Sequence, residues 1–350
     1  MLCYNTIVIF RTATEGERMY KLTEKENFLR MLRGEIPEYL PKYDFFGWGL
    51  GTSVFQGRRS PEGYLMDEFG VEQTTTEASM GGMMPVPGRI FLEDITKWRD
   101  VVKAPSLEGI DWEQLAKKDK AGKDTVNRPV ILHNRGYFMT LMNMMGFVDG
   151  LCAMQEEPEE VYALFDYLNQ YYLEVEKNLL KYYGGDVYEL ADDTAAMSFP
   201  FISAETYRQL VKPFAQKEAD LARDAGLLIG MHDCGKCECF IEDWLDMGVC
   251  LWEPAQVSND LVGIQKKYHG RLAIAGGWDN QGPISYPETP DEELAQGVRD
   301  YIDTFAPLGS FAFMVSVVGS ETDEYFKRKM ALADQVYEEY GRDWYKRHGY

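Results

Sequence analysis

No apolar run in the 350-residue sequence approaches the roughly 18–20 residues that a membrane span needs. Positive charge is in short supply: 36 Lys and Arg against 57 Asp and Glu leave a formal charge of −21, which argues against nucleic acid or an anionic membrane as a partner. The start of the chain carries an apolar patch, Ile7 to Phe10, with neither a cationic leader nor a small-residue cleavage pattern, so no secretory signal is expected there. Cysteine is sparse and unevenly placed. Four of the six fall between Cys234 and Cys250, beside a histidine, which is not the disulfide framework of a secreted chain. A cytoplasmic location follows as the expectation. Missing too are a GxGxxG turn, a linker rich in Pro, Gly or Ser, a low-complexity tract and an internal repeat. The first omission speaks against a doubly wound dinucleotide-binding sheet, and the others leave one domain, residues 22–350, preceded by an extension over 1–21.

What is present is ample core material, 45% hydrophobic residues with 13% aromatics, set out in alternating short apolar runs and helix-like stretches. Residues 22–33 read as an amphipathic helix and Asp44 to Leu50 as a first strand. Residues 61–88, rich in Gly, Met and Thr, read as hairpin and loop excursions that offer Tyr64, Asp67 and Glu68 to a ligand. From Pro129 the alternation is regular. Strands are expected at 129–134, 186–193, 227–232, 249–253, 271–276 and 311–316. One Met-rich helix is expected from Gly136 to Gly150, and another, opened by Pro158 with Glu159 and Glu160 in its first turn, runs to Tyr183. Ser203 is placed to cap the helix before Ala225. Further helices should begin near Ser258, near Thr289 (where Glu292 is spaced for a capping box) and near Glu321. Seven or eight βα units imply a parallel sheet covered by helices, and a (β/α)8 barrel of TIM type is the expected architecture, with the excursions over the C-terminal face of its strands.

In a barrel the strand-end residues converge on one face: His133 and Asn134; Asp192 and Asp193; His232, Asp233 and Cys234; Glu253 and Gln256; Trp278 and Asp279; Ser316. His232-x-Cys234 puts two metal-ligating side chains on the same side of an extended strand, the start of a zinc site with an open position. The plainer reading is a hydrogen-bonded histidine and a cysteine packed as a small apolar residue. Cys237 and Cys239 are further thiols, or early positions of a helix. Asp192 and Asp193 offer a general base or a substrate contact, against a solvated carboxylate and a turn cap. His133 is a candidate acid–base group or a satisfied core histidine. The methionines from Met139 to Met145, Met142 among them, suit packing or an apolar pocket wall.

Three stretches together carry a resemblance: Ala191-Asp-Asp-Thr with Phe201 to Phe214, the His-x-Cys-Gly turn at 232–235, and Arg271-Leu leading to Gly-Gly-Trp-Asp279, supported by Met66 to Val71. They resemble the uroporphyrinogen decarboxylase superfamily from about residue 22 onward, which implies the (β/α)8 barrel with its site at the strand C-termini. The true decarboxylases carry an Arg-rich N-terminal motif for the substrate's carboxylates, and residues 38–51 have none; the family's second-strand tyrosine falls at Met142, and the late histidine is missing from 311–320. Unpaired carboxylates in such a site would be costly. The chain resembles more closely the corrinoid-dependent methyltransferase branch, in which His-x-Cys and a later cysteine bind zinc. His232 and Cys234 match the first two ligands. The third position offers Ser316 and Ser320 instead, leaving Cys237, Cys239, Glu253 or Asp279 as substitutes.

What the resemblance implies is a cytosolic methyltransferase that moves a methyl group from a small methylated donor, by preference a methoxylated aromatic (O-demethylation), to the cobalt of a corrinoid carried by a partner protein. Zinc on His232 and Cys234 would be the Lewis acid. Asp192, Asp193 and His133 would orient substrate or manage protons, and Trp48, Asp67, Met142, Trp278 and Asp279 would line the substrate site. Relatives are often dimers, so a homodimer is among the assemblies implied. Two other readings stay open: a metal-independent lyase or decarboxylase using Asp67 or Asp193, and a non-catalytic ligand-binding relative.

Overall fold

A computed structural model describes residues 20–54, 56–76, 82–133, 135–320 and 322–350, with only the backbone of Phe45. The expected extension over residues 1–21 lies outside the described residues except for Tyr20 and Lys21, and Asn134 lies outside them too. Ten strands are described: β1 Gly49–Leu50, β2 Leu65–Met66, β3 Glu72–Thr74, β4 Met84–Pro85, β5 Ile131–His133, β6 Val187–Ala191, β7 Leu228–His232, β8 Val249–Ala255, β9 Ala273–Gly276 and β10 Phe311–Ala312. Seven form one parallel sheet in the order β1-β5-β6-β7-β8-β9-β10, and β2-β3-β4 form a small antiparallel sheet. The fold class is therefore α/β, as expected. The ladder stops at seven strands among the described residues, and a closed eight-stranded barrel is not what it shows; beyond β10 there is one parallel bridge, Lys42 to Phe313.

The two-residue period of the strands sorts their side chains onto two faces. Leu132, Tyr188, Ile229, Trp252, Ile274 and Phe311 point to the outer core, where the covering helices pack. Ile131, Val187, Leu251, Ala273, Ala275 and Ala312 share a second core on the inner face. Phe28, Met31 and Leu32 of the helix Glu24–Leu32 join that inner core, together with Tyr43 and Trp48. Side chains from β5 through β10 meet in one cluster, so the sheet is curled around it. Fully burying a residue such as Phe28 contributes on the order of 1.5–3 kcal/mol. The plug helix starts on a capping box: the Thr23 hydroxyl accepts from the Glu26 amide while the Glu26 carboxylate accepts from Thr23.

Three local expectations are corrected. Asp44 to Leu50 is mostly a helical turn, Phe45–Trp48, because Asp44 accepts the amides of Gly47 (2.9 Å) and Trp48 (2.9 Å) and closes the chain back on itself; only Gly49–Leu50 pairs as strand. The Met-rich helix is two, Tyr137–Met145 and Phe147–Glu156, broken where Gly146 takes φ 81°, a conformation that favours glycine. The capping box at Thr289 is not formed: its hydroxyl donates to the Pro283 carbonyl, and the helix Asp291–Phe305 opens after Pro290. The helix expected near Ser258 is present as Leu261–Lys267, capped by Asp260, which accepts from Gly263 at 3.0 Å. The excursion over residues 61–88 is the antiparallel sheet β2–β4, in line with the hairpin reading.

Candidate functional site

The inner face is apolar low in the sheet and polar at the strand C-termini. Register carries this directly: Ile131, Val187 and Leu228 lie side by side, then His133 beside Glu189, then Ala191 beside His232 beside Glu253. The same alternation that puts Val187 and Leu251 into the inner core thus aims Glu189, His232 and Glu253 at one another.

His232 is the centre. Its Nδ1 lies 2.5 Å from Glu253 Oε1, and its Nε2 faces Asp193 Oδ1 at 3.9 Å. The Asp193 carboxylate also accepts the Cys234 amide at 3.2 Å, which holds the turn after β7 against the end of β6. Asp193, His232 and Cys234 each offer a ligand atom within 4.8 Å of the other two, and so do Glu189, His232 and Glu253. Burial disfavours charge on His232, but hydrogen bonds to Cys234 and Glu253 outweigh it and hold the imidazole well above its ordinary pKa. Burial pushes the Cys234 thiol up to about 11, with the bond to His232 working against it. Glu189 is raised to about 8, first by burial and then by its neighbour Glu253, while the Tyr43 hydroxyl donates to it at 3.2 Å.

The donor chemistry fits a zinc ion. An imidazole nitrogen, a cysteine sulfur and a carboxylate are three ligands of the kinds zinc takes, and they would leave a fourth position open. Glu253 on Nδ1 stands where a carboxylate would orient a ligating histidine and leave Nε2 for a metal. Among the described residues no later cysteine reaches the cluster. Ser320 is engaged in its own turn with Thr322 and Asp323, and the Ser316 carbonyl accepts from Ser285.

The other expected residues are dispersed. Cys237 turns away: buried, it donates from Sγ to the Cys234 carbonyl at 3.0 Å, and burial raises its thiol far above the ordinary range. Trp48 sits in the inner core against Phe28, Met142 in the outer core, and Trp278 packs on Tyr301 with its Nε1 donating to Ser285. Asp279 accepts from Gln281 in a turn. Asp67 accepts three backbone amides, Phe69, Gly70 and Val71, and so ties its own loop. Asp192 is buried, with its carboxyl pushed to about 7 by desolvation, and it accepts the amides of Phe138 (3.0 Å) and Met139 (2.9 Å). Those are the second and third amides of the helix Tyr137–Met145, whose own N-cap, Gly136, has no side chain to give. Asp192→Ala should therefore cost about 1–2 kcal/mol of stability; a urea midpoint unmoved from the parent's would contradict the capping role.

Beside the His232 cluster, a cleft of about 480 Å³ opens between the ends of β1 and β5 and the small antiparallel sheet, with Gly51, Leu65, Met66, Asp67, His133 and Tyr171 in its wall. His133 lines it, and burial pushes its imidazole down to about 4, with His232 and Arg135 adding to the effect. Glu189 and Gly51 are not among the residues expected at the site. A lone glutamate inside the apolar run Val187-Tyr-Glu-Leu was the signal for the first; nothing in the sequence marked the second.

The fold is shared with known structures. A methyltransferase from Methanosarcina mazei superposes with a TM-score of 0.58 over 91% of this chain and 100% of its own, at 14% identity. The E. coli 3-keto-D-glucoside 4-epimerase YcjR (10% identity, 69% of this chain and 94% of its own) and an L-ribulose 3-epimerase (11%, 81% and 85%) each reach only 0.35, too low to place the chain. No family model matches the sequence, and no curated protein matches it either. Among the described residues no helix is long and apolar enough to cross a membrane.

Proposed function

We propose that the chain is a zinc-dependent methyltransferase that takes a methyl group from a small methylated donor, by preference a methoxylated aromatic, and delivers it to the cobalt of a corrinoid on a partner protein. The observation that carries this reading is the donor set itself: His232, Cys234 and Asp193 around one point, with Glu253 behind His232. The fold likeness to a methyltransferase is consistent with it. On this reading the curled sheet is of the (β/α)8 type, with the Lys42–Phe313 bridge where an eighth strand would join, and the protein works in the cytoplasm.

A zinc ion held there supplies Lewis acidity toward the ether oxygen of the donor and toward the phenolate left behind. The chain's own residues do the rest. Glu253 fixes the imidazole so that Nε2 faces Asp193 and Cys234. Asp193, tied to the Cys234 amide, takes the place of the later cysteine as third ligand. Asp192 keeps the strand end and the next helix together, so its part is to position rather than to react. The leaving phenolate takes up a proton from solvent in the open cleft.

The test is methylcobalamin formation from free cob(I)alamin across a panel of methyl ethers and methylamines under reducing conditions. Methylcobalamin should accumulate with at least one methyl ether; none from any donor, with zinc bound, would sink the methyl-transfer reading.

A further inference from the structure

The cleft beside the cluster holds a polar group left open to a ligand. His133 stands at the end of β5 with its Nδ1 buried and without a hydrogen-bond partner, and it lines the cleft. The other ring nitrogen, Nε2, faces Gly51, where a Cβ would come within 2.9 Å of it. Gly51 is itself a wall residue, and its backbone is not in the left-handed region, so the glycine is explained here by the space it leaves over the imidazole. A buried N–H with no acceptor is the rarer kind of orphan. The proton therefore belongs on Nε2, where a ligand oxygen can accept it.

The remaining wall decides the ligand's charge. Its cation, Arg135, is 2.6 Å from Glu68, itself a wall residue, and Asp67 adds a second carboxylate. An anionic ligand would meet two carboxylates against one guanidinium already engaged. A cationic methylammonium finds little either: Asp67 is turned onto three backbone amides, and Tyr171 is the one aromatic ring among the described wall residues, not a cage. Val54, Leu65, Met66 and Val175 supply apolar wall. The volume, about 480 Å³, suits one ring with substituents.

We propose that this cleft binds an uncharged, oxygen-bearing one-ring molecule, with His133 Nε2–H donating to the ligand oxygen through the gap left by Gly51. Calling that molecule the substrate rests on the methyl-transfer reading; its binding does not. The probes are 2-methoxyphenol, the 2-methoxybenzoate anion and the phenyltrimethylammonium cation, titrated into the full-length protein and followed by ligand-observed NMR. The neutral probe should bind at least tenfold more tightly than either ion. Gly51→Ala, which places a methyl against the imidazole, and His133→Phe, which removes the donor along with the buried orphan nitrogen, should each weaken it about tenfold, the worth of one hydrogen bond. Melting curves matching the parent's keep those losses local to the cleft. No binding of any probe by the parent, undiminished binding in both variants, or preference for either ion would overturn the assignment. Neutral-probe binding that persists in a preparation unable to methylate cob(I)alamin would leave the cleft standing and remove only the catalytic reading.

Discussion

Anaerobically purified parent protein is expected to carry about one zinc per chain, and His232→Ala protein to have lost it. His232 is the one side chain common to both groups of ligand atoms, so its removal leaves Cys234 and Asp193 without the nitrogen between them. Cys234→Ala should do the same, and methyl transfer should fall to background with the zinc in both. Glu253→Gln separates holding from orienting. It keeps the shape of a side chain 2.5 Å from Nδ1 but not its charge, and should lower zinc affinity roughly 10–100-fold without abolishing it. Cys237→Ala should leave the stoichiometry unchanged, because that thiol is already spent on the Cys234 carbonyl. Inductively coupled plasma mass spectrometry on the set gives the readout. A parent chain that stays metal-free after zinc is supplied would remove the Lewis acid from the proposed function, while zinc retained in His232→Ala would place the metal elsewhere.

The fold was legible where period and caps spoke together. The parallel strands from β5 onward and the helix Pro158–Asn178 follow from short apolar runs set against long amphipathic ones, because each strand needs its helix to cover the outer face. Breaks that depend on a single side chain were not legible in that way. Asp44 folding back on Gly47, or Gly146 splitting a Met-rich helix, is a local choice that hydrophobic period does not encode. At the site, His232-x-Cys234 could be read because two ligand-type residues sat at a strand end. Asp193 was visible as half of a pair of carboxylates, but only the three-dimensional arrangement divides the labour: Asp192 turns to helix amides and Asp193 to the His232 cluster. Trp48 and Trp278 carry no such signal. An aromatic at a strand end is as good for core as for substrate, and here both pack in the interior.

Replacing Glu176 by methionine is expected to stabilise the protein, and to do so more strongly as pH rises. Glu176 lies on the buried face of the helix Pro158–Asn178, fully out of solvent, and the one hydroxyl that acts against its burial, Tyr188, donates to Glu218 instead. Burial pushes its pKa from 4.5 to about 10, and the nearby Glu218, itself raised to about 7 mainly by burial, adds to the effect. A carboxyl whose folded pKa lies above its unfolded one contributes its full stability below the unfolded value. It loses that contribution as pH climbs toward the folded value, since the native chain must keep a proton that the unfolded chain releases. From pH 5 to 8 the parent should therefore lose up to about 1.4 kcal/mol per pH unit through this one group. Methionine has no proton to hold and fills a similar volume with apolar atoms. The gap between variant and parent in urea-derived stability should widen steadily across that window, whatever the other titrating groups do to both. Parallel curves would mean that Glu176 ionises in the folded protein at ordinary pH, and its burial would then have to be relieved by a rearrangement around Tyr188 and Glu218.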